Sequence, residues 1–293
     1  MWHEALSMHG DTHVEWLDAL RGFAQKVNGV CHVGTLFSGS DMIRPMLEQL
    51  SLFWKYTYDV SLTFVFLFAA EANEGKQAFL QDHARADVVF RRAEDCSEPM
   101  AESCITGDQC IVPWVHWLWA GFPCVSKSQA NTSRGQHKNC MRDATAETGR
   151  GFATVLKYVE KARPLMVTLE NVTSLTDGVL GETDSDYMCE RFQSLGYWSR
   201  CFITEASDHG SKAARERAYW QCVLSKQDGD GSLGIFLQRA HVATKLHCQP
   251  FAFHDFVICD DEVRAKLAAD LEETVVLQRV DRGSGTLGRI LKP

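Results

Sequence analysis

Cys124 follows the apolar run Trp114-Val115-His116-Trp117-Leu118-Trp119-Ala120 after the short link Gly121-Phe122-Pro123. The run has the bulk of a buried strand, and Gly121 with Pro123 turns the backbone sharply out of it. A thiol is thereby set just past the carboxyl end of a strand, where open α/β sheets gather their ligands. A second strand-like run, Leu165-Met166-Val167-Thr168-Leu169, ends in Glu170-Asn171-Val172. A sulfur nucleophile and a carboxylate, each at the tip of its own strand, point to covalent chemistry with an acid beside it. An ordinary thiol is only slightly ionised at neutral pH, so such a nucleophile needs cations around it. Between Gly121 and Arg150 stand Lys127, Arg134, Lys138, Arg142 and Arg150 against Asp143 and Glu147, a positive stretch in a chain of net charge −8. That excess reads either as a solvated loop or as a loop that grips phosphate.

The elements that must position these residues alternate from residue 31 to residue 225. Strands are expected at 32–37, 62–70, 87–90, 114–120 and 165–169, with helices at 41–50, 73–81, 145–162 and 187–195. Residues 197–204 and 218–224 read as a hairpin-like pair, and 91–109 as a polar stretch. Repeated β-then-α order implies a mostly parallel α/β sheet of Rossmann type, seven strands with helices on both faces. Val14, Leu17, Leu20 and Phe23 place one face of an amphipathic helix within residues 1–30. Gly229, Gly231 and Gly234 among Asp and Ser mark a linker after residue 225. The expected organisation is therefore a helical extension over 1–30, a catalytic domain over 31–225 and a short C-terminal appendage over 226–293.

Composition narrows the class. The 293 residues can bury a large core, and 45% hydrophobic with 23% charged residues is ordinary for a globular protein. The longest apolar stretch, Phe64 to Ala70, is far short of the ~20 residues a membrane helix needs. Acids at Glu4, Asp11, Glu15 and Asp18 leave no apolar export core, so a soluble intracellular protein is expected, nuclear in a eukaryote. The eleven cysteines contain no Cys-x-x-Cys, which argues for reduced thiols and against a zinc site. The acidic balance excludes a protein that coats polyanions through basic stripes.

Taken together, these residues resemble the cytosine-C5 DNA methyltransferases over roughly 32–224. Gly121-Phe122-Pro123-Cys124 is similar to the family's nucleophile loop, and Glu170-Asn171-Val172 to its Glu-Asn-Val motif. Arg215-Glu216-Arg217 looks like the paired-arginine motif, and Leu36-Phe37-Ser38-Gly39 like the first cofactor loop. The resemblance implies S-adenosyl-L-methionine as cofactor and an extruded cytosine as target. Cys124 would attack carbon 6 of the ring, Glu170 would hold or protonate nitrogen 3, and Arg217 would hold the exocyclic oxygen and orient the glutamate, with Arg215 the other catalytic arginine of the motif. Phe37, Ser38, Gly39 and Pro123 would contact the cofactor, Glu71 its ribose, and Asp95 its adenine, with Arg92 as the alternative. DNA is the expected substrate and transfer RNA a variant of it, with a protein partner supplying part of the targeting.

Several positions depart from the family pattern. The cofactor loop continues as Ser40-Asp41-Met42, Val125 replaces a usual glutamine, and Lys212-Ala213 replace Pro-Gln before the arginines. The family's last motif has no counterpart after residue 225, a place the N-terminal helix could take. Two rivals stay open: a catalytically silent paralogue, and a thiol hydrolase using His116 or His137 as base.

Overall fold

The computed structural model describes residues 10–84, 88–128, 131–133, 137, 139–177, 183–209 and 215–224. The chain divides into two units, Met1–Gln249 and Pro250–Pro293, and all described residues lie in the first. The expected linker and appendage, together with Arg134, Lys138, Lys212 and Ala213, lie outside the described residues.

Nine strands are described: β1 (Val30–Leu36), β2 (Thr63–Ala70), β3 (Val88–Phe90), β4 (Met100–Glu102), β5 (Gln109–Ile111), β6 (Trp117–Ala120), β7 (Met166–Asn171), β8 (Tyr197–Glu205) and β9 (Glu216–Leu224). Seven form one sheet in the order β3-β2-β1-β6-β7-β9-β8. Pairings from β3 through to β7 are parallel, whereas β9 runs antiparallel to both β7 and β8. The expected seven-stranded, mostly parallel sheet is therefore present, closed on one side by the expected hairpin. Strands buried on both faces read as continuous apolar runs, which is why β1 and β2 are legible from composition alone.

Helices cover both faces. On one side lie α1 (Gly10–Lys26) and α2 (Ile43–Tyr58), where Leu20, Ala24, Val27 and Leu47 join Cys31, Val33, Phe64 and Phe66 in one core. On the other lie α4 (Ala146–Ala162) and α5 (Asp184–Ser194), where Phe152, Val155, Val159 and Phe192 pack on Leu36, Leu118, Leu169 and Trp220. The short α3 (Glu74–Phe79) starts at Asn73, whose side chain accepts the Lys76 N–H.

Three boundaries differ from expectation by three residues or more, each for a local reason. Helix α2 runs eight residues past residue 50, because Trp54 and Tyr58 pack into the core and override their modest helix propensity. It stops at Asp59, left-handed at φ 52 and paired with Lys55 at 2.7 Å. Helix α5 begins at Asp184 rather than 187, fixed by a capping box between Thr183 and Asp186 that leaves no apolar periodicity to read. Strand β6 starts at Trp117 rather than 114, since Trp114 turns edge-on to His116 at 4.5 Å before the chain enters the sheet. The polar stretch 91–109 also holds a 3-10 turn, Glu94–Ser97, and the β4–β5 hairpin.

Candidate active site

The carboxyl ends of the parallel strands form one rim, and strand order sets what can meet there. Reading across it, Arg91 and Arg92 follow β3, Glu71 follows β2, Phe37 to Gly39 follow β1, and Pro123 and Cys124 follow β6. Glu170 sits in the last turn of β7, and antiparallel β9 brings its amino end, with Arg215 and Arg217, to the same rim. Neighbouring strands lie ~4.8 Å apart, so the tips of β6, β7 and β9 fall within the span of a single flat ring and its contacts.

Glu170 Oε1 accepts from Arg217 Nε at 2.8 Å. The other oxygen, Oε2, faces the nucleophile loop, where a Cβ built on Gly121 would lie 3.5 Å from it. The carboxylate thus bridges the guanidinium of β9 and the loop carrying the thiol, with both partners about a third exposed or less. Tyr219 pairs with Glu170 across β7–β9 and shares a face with Arg217 and Arg215 two and four residues before it. Burial pushes the Tyr219 hydroxyl up first and the Glu170 charge adds to this, while Arg217 and Arg215 oppose it. Sequence reasoning passed over Tyr219, although its period-two spacing from the arginines was the available signal.

Cys124 is partly exposed, at the mouth of a turn in which its carbonyl accepts from Lys127 N at 3.0 Å and Ser128 N at 2.8 Å. Several ties moor the loop. Asn171 Nδ2 donates to the Phe122 carbonyl at 2.9 Å, a buried bond that couples the Glu-Asn-Val motif to the nucleophile loop. Ser126 N donates to Thr148 Oγ1 of α4, Ser174 Oγ donates to the Lys127 carbonyl, and Lys127 Nζ pairs with Asp184 at 2.5 Å. Lys127 and Arg142, in the stretch read as either solvated or phosphate-gripping, have structural partners: Asp184 for the first and the Tyr187 ring, at 4.8 Å, for the second. Val125 is 55% exposed and points away from the core.

Helix α4 also touches the loop directly. A Cβ on Gly151 would meet Pro123 Cδ at 3.0 Å and Phe122 Cβ at 3.2 Å. Gly151→Ala gains about 1 kcal/mol of helix propensity but must push the nucleophile loop aside. Small displacements of a reacting group are costly in rate. The expected result is a melting temperature near wild type with any reaction through Cys124 slowed about tenfold, measured by thermal unfolding and single-turnover kinetics on one preparation.

At the β1 and β2 tips, Glu71 is buried and both its oxygens are engaged, Oε2 by Gly39 N at 2.8 Å and Oε1 by Asn73 N at 2.9 Å. A carboxylate offers about four acceptor positions, so two remain for a ligand's hydroxyls. Ser38 Oγ accepts the Ala70 N–H at 2.9 Å and lies 2.7 Å from the Thr35 hydroxyl, which makes it a latch between β1 and β2. Phe37 is left-handed at φ 56, a conformation that strains a side chain and is held where geometry matters. Gly39, at φ +60, has open space where a Cβ would stand. Beyond Glu71 lies a hollow of about 330 Å³ lined by Ala72, Glu74, Arg91, Arg92 and Glu94. Arg92 lines it; Asp95, in the 3-10 turn behind, does not.

His116 cannot serve Cys124, because it stands at the opposite end of β6 and accepts from His32 N with the two rings stacked at 5.0 Å. Burial, then the His32 charge, lowers its pKa. Among the described residues no group of three or more His, Cys, Asp or Glu is placed to hold a metal ion, and no helix is long and apolar enough to cross a membrane.

The profile of the C-5 cytosine-specific DNA methylases matches residues 36–256, well over half of the chain. The chain belongs to that family. It is 26% identical over 199 residues to DNA (cytosine-5-)-methyltransferase DMT5 of Cryptococcus neoformans var. grubii, a match covering 68% of this chain and 8% of that protein. The chain thus spans under a tenth of that relative's length. A solved structure of the Entamoeba histolytica methyltransferase EhMeth aligns with a TM-score of 0.41 at 14% identity, covering 67% of this chain and 53% of the other. In this member of the C-5 cytosine-specific DNA methylases, the Arg217–Glu170 ion pair and the Asn171–Phe122 bond link three of the sequence motifs along the rim.

Proposed function

We propose that this chain transfers a methyl group from S-adenosyl-L-methionine to carbon 5 of cytosine in DNA, through a transient bond between Cys124 Sγ and carbon 6. The observation that carries the proposal is Glu170, held by Arg217 at 2.8 Å through one oxygen while the other faces the Cys124 loop. Carbon 5 is a poor nucleophile while the ring keeps its conjugation. Attack by the Cys124 thiolate forms the S–C6 bond and drives electrons towards nitrogen 3, where Glu170 donates a proton or a hydrogen bond. Arg217, paired with Glu170 at 2.8 Å, would hold that carboxyl against the ring, and Arg215, two residues before it, would reach for the exocyclic oxygen. Carbon 5, now enamine-like, takes the methyl group; loss of its proton to a base then expels the sulfur and restores the ring.

The rim residues fit the cofactor. Glu71 keeps free lone pairs for the ribose, Gly39 leaves room for a close approach, and Phe37 and Pro123 offer apolar surface. The hollow lined by Arg92 has a volume in the range of small-molecule sites and would take the adenine. Asp95 would reach the adenine from behind it. S-adenosylmethionine supplies an electrophilic methyl group on sulfur; the chain supplies the nucleophile, the acid and the alignment.

The target base must leave the duplex, at a cost of a few kcal/mol. Residues 31–225 act in this scheme as the catalytic domain, 1–30 as its helical extension and 226–293 as a short target-recognition region. The acidic balance of the chain, net −8, makes salt-sensitive DNA binding the expectation, with a protein partner supplying part of the targeting. A soluble intracellular protein, nuclear in a eukaryote, follows from this role.

The test is methyl transfer itself. The chain is incubated with methyl-tritiated S-adenosylmethionine and either duplex DNA or transfer RNA, and digested nucleosides are resolved. Label in 5-methyldeoxycytidine is the expected outcome. Label in RNA alone would move the substrate; cofactor binding without label in either would mark a silent paralogue.

A further inference from the structure

Among the described residues two carboxylates are buried, Glu71 and Asp41, and their situations are opposite. Glu71 has a backbone N–H on each oxygen. Asp41 is 4% exposed, and neither Oδ1 nor Oδ2 has a partner at hydrogen-bond geometry, although the Thr35 hydroxyl is close enough to lower the pKa as a donor would. Its backbone is pinned in a left-handed turn at φ 49, with its N–H on the Ser38 carbonyl at 2.9 Å and its own carbonyl accepting from Arg44 N. The nearby Thr35 hydroxyl is engaged with Ser38 at 2.7 Å, and the Arg44 guanidinium lies over the Phe66 ring at 4.6 Å. Burial pushes the carboxyl up to about 6, with the Arg44 charge and Thr35 opposing only part of this. A buried acceptor pair without donors is an unusual thing for a fold to hold.

The strand order says what belongs there. Adenosine anchored at Glu71 sits over the β2 tip, and the methyl group must reach the Cys124 loop beyond β6, two strands and ~10 Å away. The arm between them has to cross the tip of β1, which is the Phe37–Asp41 loop. The methionine arm carries two positive groups. Its sulfonium has no hydrogen to donate, and it loses its charge as the methyl group leaves, so a carboxylate beside it would hold back the reaction. Its α-ammonium keeps its charge throughout and carries three N–H donors, which match two empty acceptors.

Resting on the cofactor assignment above, we propose that Asp41 is a specificity-determining residue that binds the α-ammonium group of the cofactor's methionine arm. The side chain that interrupts the family's glycine-rich loop then replaces bare backbone with a charge-assisted contact. Isothermal titration of the full chain with S-adenosylhomocysteine and with its des-amino analogue tests this without turnover. Wild type is expected to bind the amino compound about 10- to 100-fold more tightly, the range for a hydrogen bond to a charged group. Asp41→Asn is expected to bind both with affinities within about threefold of each other, and Asp41→Glu to recover part of the preference. A melting curve on each variant confirms that it is folded. An undiminished amino preference in Asp41→Asn overturns the assignment. If wild type binds neither compound, the cofactor reading itself fails and takes this one with it, whereas loss of amino preference with adenosine binding intact in wild type overturns Asp41 alone.

Discussion

Glu170→Gln is expected to lower the rate of methyl transfer about a thousandfold, within the range that a positioned general acid contributes, while stability and DNA affinity stay close to wild type. The amide has the shape of the carboxyl group, and its oxygen can still accept from Arg217 Nε, so the 2.8 Å contact survives in form. What it cannot do is deliver a proton to nitrogen 3, or carry the negative charge that keeps Arg217 fixed. Single-turnover rates on a cytosine-containing duplex, with melting temperatures alongside, separate chemistry from folding. A rate within about threefold of wild type would remove Glu170 from the proton path. Arg217→Ala is a different case: it leaves a carboxylate that is only a third exposed without its partner, so it should cost stability as well as rate.

Asp41→Asn is expected to act in opposite directions on stability and on cofactor binding. The folded-state pKa of Asp41, about 6, lies above the ordinary aspartate value, so the folded protein holds this proton more tightly than the unfolded chain does. The resulting stability is fully present below pH ~4 and is lost as pH rises through ~6, to a total of about 3 kcal/mol. Arg44 is the charged neighbour that tempers the shift, and Glu71 is committed to the Gly39 N–H on the other side of the loop. Unfolding free energies from urea titration should therefore fall by about that amount more in wild type than in Asp41→Asn between pH 4 and pH 7.5. Parallel pH profiles for the two proteins would contradict the buried, unpaired state of this carboxylate. A residue that is costly in the free protein and useful with a ligand bound is the pattern expected of functional sites.

Much of this site can be read from the chain alone because it lies at strand ends. Leu165 to Leu169 carries no charge on either face of the sheet, so the first charged residue after it, Glu170, marks the rim without any coordinates. Gly121 and Pro123 do the same for Cys124. Pairing across the sheet is not legible in that way. That Arg217 reaches Glu170 depends on β9 inserting antiparallel between β7 and β8, and hairpin order alone does not say which strand of the pair lies inside. The pairing of Lys127 is not legible for a similar reason: Asp184, its partner, is 57 residues later and sits in a capping segment with no periodic signal. Asp41 reads from sequence as the first residue of the 41–50 helix, and its burial is not legible there, since acids are rarely buried without a partner. Only the left-handed turns at Phe37 and Asp41 fold it under the loop.

The central claim is that thiol, carboxyl and guanidinium close on one extruded cytosine, and trapping tests it most directly. A duplex carrying 5-fluorocytosine, incubated with the chain and S-adenosylmethionine, arrests the reaction after methyl transfer because fluorine cannot leave as a proton does. Intact-mass measurement should show protein plus methylated oligonucleotide, with the link mapped to Cys124 by peptide analysis and absent in Cys124→Ser. A covalent species attached at any other cysteine, or methyl transfer that proceeds at wild-type rate in Cys124→Ser, would contradict the account.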